Sequence, residues 1–250
     1  MFHTRAWATT GLALVLTSLL IPNMARSQTT DIPPGASSAI DVRINQELSA
    51  LGERGDLIAE ARLQVLDILQ SQGSCAAWFR ETDPNVANVF RSVHYELNSG
   101  TSQIYLMTED DGTALYKHPW GASTNEYGGS DSIIKINTNG PFFVGESRLL
   151  KVSASGGPAW PLGWYMVLVG PYVGDTPEVR MTILLHELGH IVGRLPADDG
   201  SWNGASARNT VEVLRHCKSE IHLRAKKRIN DDKSRALHVP SREGASREKS

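Results

Sequence analysis

Thr176-Pro177-Glu178-Val179-Arg180-Met181-Thr182-Ile183-Leu184-Leu185-His186-Glu187-Leu188-Gly189-His190 is the stretch that decides how this chain folds. It opens with helix-start chemistry. Thr176 suits the N-cap, Pro177 the first helical position, and Glu178 is favoured there by the helix dipole. The apolar run 179–185 then predicts a buried helix. Residues four apart on a helix share a face, so His186 and His190 aim their imidazoles at one point, with Glu187 one step round from them. Two histidines and a glutamate carried into an apolar interior need partners, because unpaired polar burial is costly. Hydrogen bonds within the core are one solution and a metal ion is the other. The spacing suits Zn²⁺ held by both imidazoles, with the Glu187 carboxylate in reach of a water whose pKa the metal lowers to about 7.

On these residues the chain resembles the zincin metallopeptidases, whose signature is HExxH. The resemblance implies an α+β, zincin-like fold in which N-terminal helices and a small sheet pack on the HExxH helix. It also implies that Glu187 acts as general base. Gly193 extends the motif to HExxHxxG, which resembles the start of the metzincin pattern. That pattern places its third ligand where this chain has Pro196, which offers no ligand atom, and no methionine follows Met181 to build a methionine turn. The resemblance is therefore to the zincin class as a whole, over about twenty residues, and not to a typical metzincin. Residues 193–217 also resemble uncharacterised secreted bacterial proteins that carry HELGH, a short Pro/Asp turn and an Asn-Thr before a cysteine. That likeness implies nothing about substrate.

Catalytic zinc takes three protein ligands and keeps one position open. Asp198, in the Pro196-Ala197-Asp198-Asp199-Gly200 turn that follows the helix, is the first candidate for the third. Asp199, Glu212 and His216 remain alternatives by ligand type, the last two on a second helix expected from Thr210 to about residue 224. Each has an ordinary reading as well: a solvated turn for the two aspartates, a helix-surface charge for Glu212, packing beside a disulfide for His216. Asn209-Thr210 reads as a cap for that helix. Arg194 and His216 are the candidate oxyanion stabilisers. His94 and His118 stand alone on expected strands; either is a ligand by type, but a lone strand histidine is more often structural. Asp110, Asp111 and Asp131 lack the spacing of a calcium loop.

Residues 1–27 read as a secretory signal: Arg5, an apolar core over 11–21, and Ala25-Arg26-Ser27 before the cleavage point. The apolar core is shorter than the roughly 20 residues of a membrane span, so no stable membrane insertion is expected once the signal is cleaved. The expected location is secreted or periplasmic. There the two cysteines, Cys75 and Cys217, pair by default as a disulfide.

Residues 28–37 read as a flexible arm, 38–217 as the zincin-like domain, and 218–250 as a charged, largely disordered tail with helix to about residue 229. Residues 28–217 carry 13 Lys and Arg against 22 Asp and Glu, a net of −9; residues 218–250 carry 10 against 5, a net of +5. The acidic body argues against nucleic acid as a partner.

Within the domain, residues 38–70 show helical periodicity broken at Gly52 and Gly55. Short extended runs follow at 90–97, 103–107, 114–118, 132–136, 148–152 and 164–169. No G-x-S-x-G elbow suggests a serine nucleophile. The expectation is an exported, Zn²⁺-dependent hydrolase, a peptidase acting on peptide or protein substrates. The alternative is a noncatalytic zinc-stabilised domain, or an envelope-interaction domain that keeps the zincin helix. Oligomeric state is not encoded legibly.

Overall fold

The motif stretch forms helix α5, Pro177–Ile191, in a computed structural model of the protein. The structure describes residues 34–99, 105–108, 114–117, 120–152, 160–198 and 204–237, all within one unit spanning 31–250. Thr176 caps α5 as its residue type foretold: its hydroxyl accepts from Val179 N and donates to Val173 O, with Pro177 at the first helical position. Every α5 residue from Val179 to Ile191 is buried. A helix apolar nearly all round must be covered on all sides. Here the cover comes from α2 (Glu53–Gln70), α6 (Ala205–Leu237), the short strand β4 (Ala122–Ser123), and the hairpin of β8 (Leu168–Val169) with β9 (Tyr172–Val173).

The chain is α+β, as expected. Helix α1 (Pro34–Ser49) is antecedent to α2 across the Gly52 link, so residues 34–37 are helical and do not belong to a flexible arm. Two short helices escaped the sequence reading, α3 (Ser74–Arg80) and α4 (Val86–Arg91). The second takes residues assigned to the first expected strand, and β1 begins only at His94 (His94–Asn98). Helices this short carry too few residues to display a period, and Val89-Phe90 reads equally well as extended.

Three sheets are present among the described residues. Strand β1 pairs in parallel with β5 (Ile133–Asn137), and β4 runs antiparallel on the other side of β5, giving the order β1-β5-β4. Strands β2 (Tyr105–Thr108), β3 (Ala114–Lys117), β6 (Glu146–Val152) and β7 (Trp160–Met166) form an antiparallel sheet in that order. The β8–β9 hairpin is the third. Ile134 and Ile136 of β5 alternate inward and are fully buried, as a half-buried strand requires. With Phe79, Phe90, Phe142, Leu184, Leu185 and Leu188 they belong to one core that spans sheet and helices.

The boundary expected at Cys217 falls inside α6. The helix runs unbroken to Leu237, eight residues past the expected end, with Ile221 and Ala225 buried in the core. Arg224 pairs with Asp67, and Arg228 with Glu60, which ties this basic stretch to α2. Cys75 and Cys217 are fully buried and disulfide-bonded, joining α3 to α6 across 142 residues of sequence. Around the bridge Ser74 donates to His216 O, and Glu220 accepts from Ser74 Oγ and Cys75 N. Among the described residues no helix is long and apolar enough to cross a membrane. The expected signal, residues 1–27, lies outside the described residues.

Candidate metal centre

Helical geometry brings His186 and His190 together. Their Nε2 atoms are 3.0 Å apart, and their rings meet edge to face with centroids at 4.8 Å. The turn after α5 supplies the third group. Gly193, at φ 70°, lies in the left-handed region that glycine adopts without strain. Its N–H donates to His190 O while Arg194 N–H donates to Gly189 O, the paired bonds of a Schellman motif. Leu195 N–H also donates to Gly189 O, and the Leu195 side chain lies over the bare face of Gly189. The chain is thereby turned back along α5 and delivers Asp198 to the histidines. Asp198 Oδ2 is 2.9 Å from His186 Nε2, and Oδ1 is 3.5 Å from His190 Nε2.

His186, His190 and Asp198 are the group of metal-ligand type among the described residues, their ligand atoms all within 4.8 Å of one another. Of the alternatives for the third position, Glu212 and His216 pair with each other instead, at 3.2 Å. His216 also stacks on Trp78, with centroids 4.9 Å apart. Asp199 lies outside the described residues, as do His118, Asp110 and Asp111. His94 hydrogen-bonds Glu47, and Asp131 pairs with Arg43. Arg194 lies over the Trp78 ring and pairs with Glu81, so neither candidate oxyanion stabiliser is free of structural partners.

Residues from α6 complete the surroundings. The sequence suggested Asn209-Thr210 as a helix cap, but α6 starts at Ala205, and both residues are buried in its second turn. Asn209 Nδ2 donates to Asp198 Oδ1 at 2.7 Å and to Pro196 O at 2.9 Å. Thr210 Oγ1 lies 3.1 Å from His186 Nδ1. From the other side, Tyr127 N and Gly129 N donate to His190 O and Ile191 O, closing the end of α5 with the loop that carries Glu126.

The electrostatics suit a cation. Burial pushes the Glu187 carboxyl up, further than the charges of His186 and His190 pull it down, and Asp198 adds to the rise. Burial disfavours charge on His190, but its hydrogen bond to Asp198 and the charges of Glu187, Asp198 and Glu126 outweigh that and raise it. Burial also opposes charge on Asp198. Hydrogen bonds from His186, His190 and Ser206 overcome it and hold the carboxyl well below the usual range. Two buried imidazole nitrogens and a carboxylate face one another, with a second carboxyl beside them. Among the described residues the buried His190 Nδ1 has no hydrogen-bond partner. Ligands around a tetrahedral zinc are about 3.3 Å apart for bonds of 2.0–2.1 Å. The two imidazole nitrogens are 3.0 Å apart, the two Asp198 oxygens approach one imidazole each, and with one atom taken per residue the group lies within 4.8 Å, so these residues could hold a metal ion.

No family model, no curated protein and no solved structure matches the chain.

Proposed function

We propose that this protein is an exported, zinc-dependent peptidase of the zincin type. The convergence of His186 Nε2, His190 Nε2 and the Asp198 carboxylate beside Glu187 carries the reading. When bound at these three residues, zinc supplies Lewis acidity, polarising an acyl oxygen and making water a nucleophile near neutral pH. Glu187 is the general base: its carboxylate takes the proton of the attacking water and returns it to the leaving amine.

Strand β4 supports a peptide as substrate. It lies antiparallel at the end of the β1-β5-β4 sheet and packs on α5, so its outer backbone can pair with an extended chain. The Cys75–Cys217 disulfide suits an exported protein, since such bonds persist in oxidising compartments.

Zinc content and peptide-library cleavage test the reading on the mature, oxidised protein. The expectation is close to one zinc per chain in wild type and a sharp loss in Asp198→Ala. Glu187→Gln should retain zinc and lose cleavage. Zinc without cleavage in the wild type would favour a noncatalytic zinc-stabilised domain. No zinc after reconstitution would remove the metallopeptidase reading.

A further inference from the structure

We infer that Asn209 and Thr210 are positioning residues for the metal, orienting the His186 ring and the Asp198 carboxylate toward it. The inference rests on the zinc reading above. An imidazole can bind a metal through Nε2 only if that nitrogen carries no proton, which puts the proton of the neutral ring on Nδ1. His186 Nδ1 faces Thr210 Oγ1 at 3.1 Å, and that hydroxyl oxygen is the acceptor the required tautomer needs. A valine there would keep the shape and remove the acceptor.

Asn209 acts on the other ligand. Both of its amide contacts, Pro196 O and Asp198 Oδ1, are acceptors, so the side chain must present its nitrogen to them. One NH₂ group thus holds the turn at Pro196 and orients the carboxylate two residues later. Asp198 itself is reached by solvent, with a side-chain exposure of 32 %. Asn209 is 5 % exposed and lies on a long helix. The buried partner therefore holds the more exposed one. The remaining Asp198 oxygen, Oδ2, faces His186 Nε2.

The two residues are consecutive on α6, and the same helix carries Cys217 two turns further on. The disulfide to Cys75, with the Ser74 and Glu220 hydrogen bonds around it, fixes α6 to α3. The pair that orients the ligands is therefore carried on an element covalently tied to the helical layer.

The test compares zinc dissociation constants, by competition with a chromophoric chelator, for the full oxidised chain and the variants Thr210→Val, Thr210→Ser and Asn209→Leu. The melting temperature of each metal-free protein is measured alongside. Thr210→Val and Asn209→Leu should weaken zinc about 10- to 100-fold. Thr210→Ser, which keeps the hydroxyl, should stay within about threefold of wild type, with metal-free melting temperatures alike for the two Thr210 variants. Equal zinc affinity in wild type, Thr210→Val and Asn209→Leu would overturn the inference while leaving the zinc reading intact. So would a loss in Thr210→Ser as large as in Thr210→Val, since the hydroxyl would then not be the cause. A wild type that binds no zinc would overturn both. If Asn209→Leu does not fold, the Thr210 pair decides.

Discussion

Gly189→Ala sets two effects of opposite sign against each other inside the motif. Helix propensity alone favours alanine over glycine in a helix interior by about 1 kcal/mol. A Cβ at Gly189, however, would stand 2.5 Å from Leu195 Cδ1 and 2.6 Å from its Cγ. Ordinary contact requires a retreat of about 1 Å. Leu195 is 2 % exposed and belongs to the core, so it has nowhere free to go, and overpacking of this kind costs about 1–3 kcal/mol. The net expectation is a destabilisation of up to about 2 kcal/mol, despite the better helix former. The turn adds a second consequence. Gly189 O accepts from both Arg194 N and Leu195 N, and the chain reaches Asp198 three residues later. Displacing Leu195 moves the aspartate from the histidines, and zinc should bind about tenfold more weakly. Denaturant unfolding of the metal-free protein measures the first effect and chelator competition the second. Leu195→Ala in the Gly189→Ala background should cost less than in wild type, because the new methyl enters the space vacated, a coupling of about 0.5–3 kcal/mol. A Gly189→Ala protein that is about 1 kcal/mol more stable and binds zinc as wild type does would refute the packing argument.

Three further outcomes follow from other parts of the molecule. Replacing Cys75 and Cys217 by alanine should cost up to about 4–5 kcal/mol in the chain-entropy view, read by denaturant unfolding, and reductant should then have no effect on the double variant. Glu220 is raised by burial but lowered more by its hydrogen bonds to Ser219, Cys75 N and Ser74, so its carboxyl sits below the ordinary 4.5. The stability advantage of wild type over Glu220→Gln should therefore be complete above about pH 5 and vanish as pH falls through the folded-state pKa; an advantage that grows in acid would contradict the assignment. Arg62 is fully buried on α2 and donates to Asp41 and to Arg91 O, so Asp41→Ala, which strands that charge, should destabilise by about 3 kcal/mol, and adding Arg62→Met should recover much of it in thermal unfolding.

The local features were legible because they repeat short-range rules. The Thr176 cap, Pro177 start and apolar run specify α5 without reference to the rest of the chain, and a four-residue spacing puts His186 and His190 on one face in any α-helix. The cysteine pair followed from count and expected compartment. The turn carrying Asp198 was readable as a turn. Which of Asp198, Asp199, Glu212 and His216 approaches the histidines was not, since ligand type permits all four and only the packed positions of the Schellman turn and α6 bring one within 3 Å of His186. Asn209 and Thr210 looked like a cap because an Asn-Thr pair before a helical run usually is one. The helix begins earlier, at Ala205, and burial against α5 turns both side chains toward the site. The short helices α3 and α4 and the two-residue strand β4 are held by tertiary contacts rather than by any period of their own. The sequence by itself determined the motif helix, its metal-ready face and the disulfide pair, because covalent order and backbone geometry suffice for them. The third group of the site, and the residues that orient it, depend on contacts between segments far apart in the chain, which only the packed tertiary structure decides.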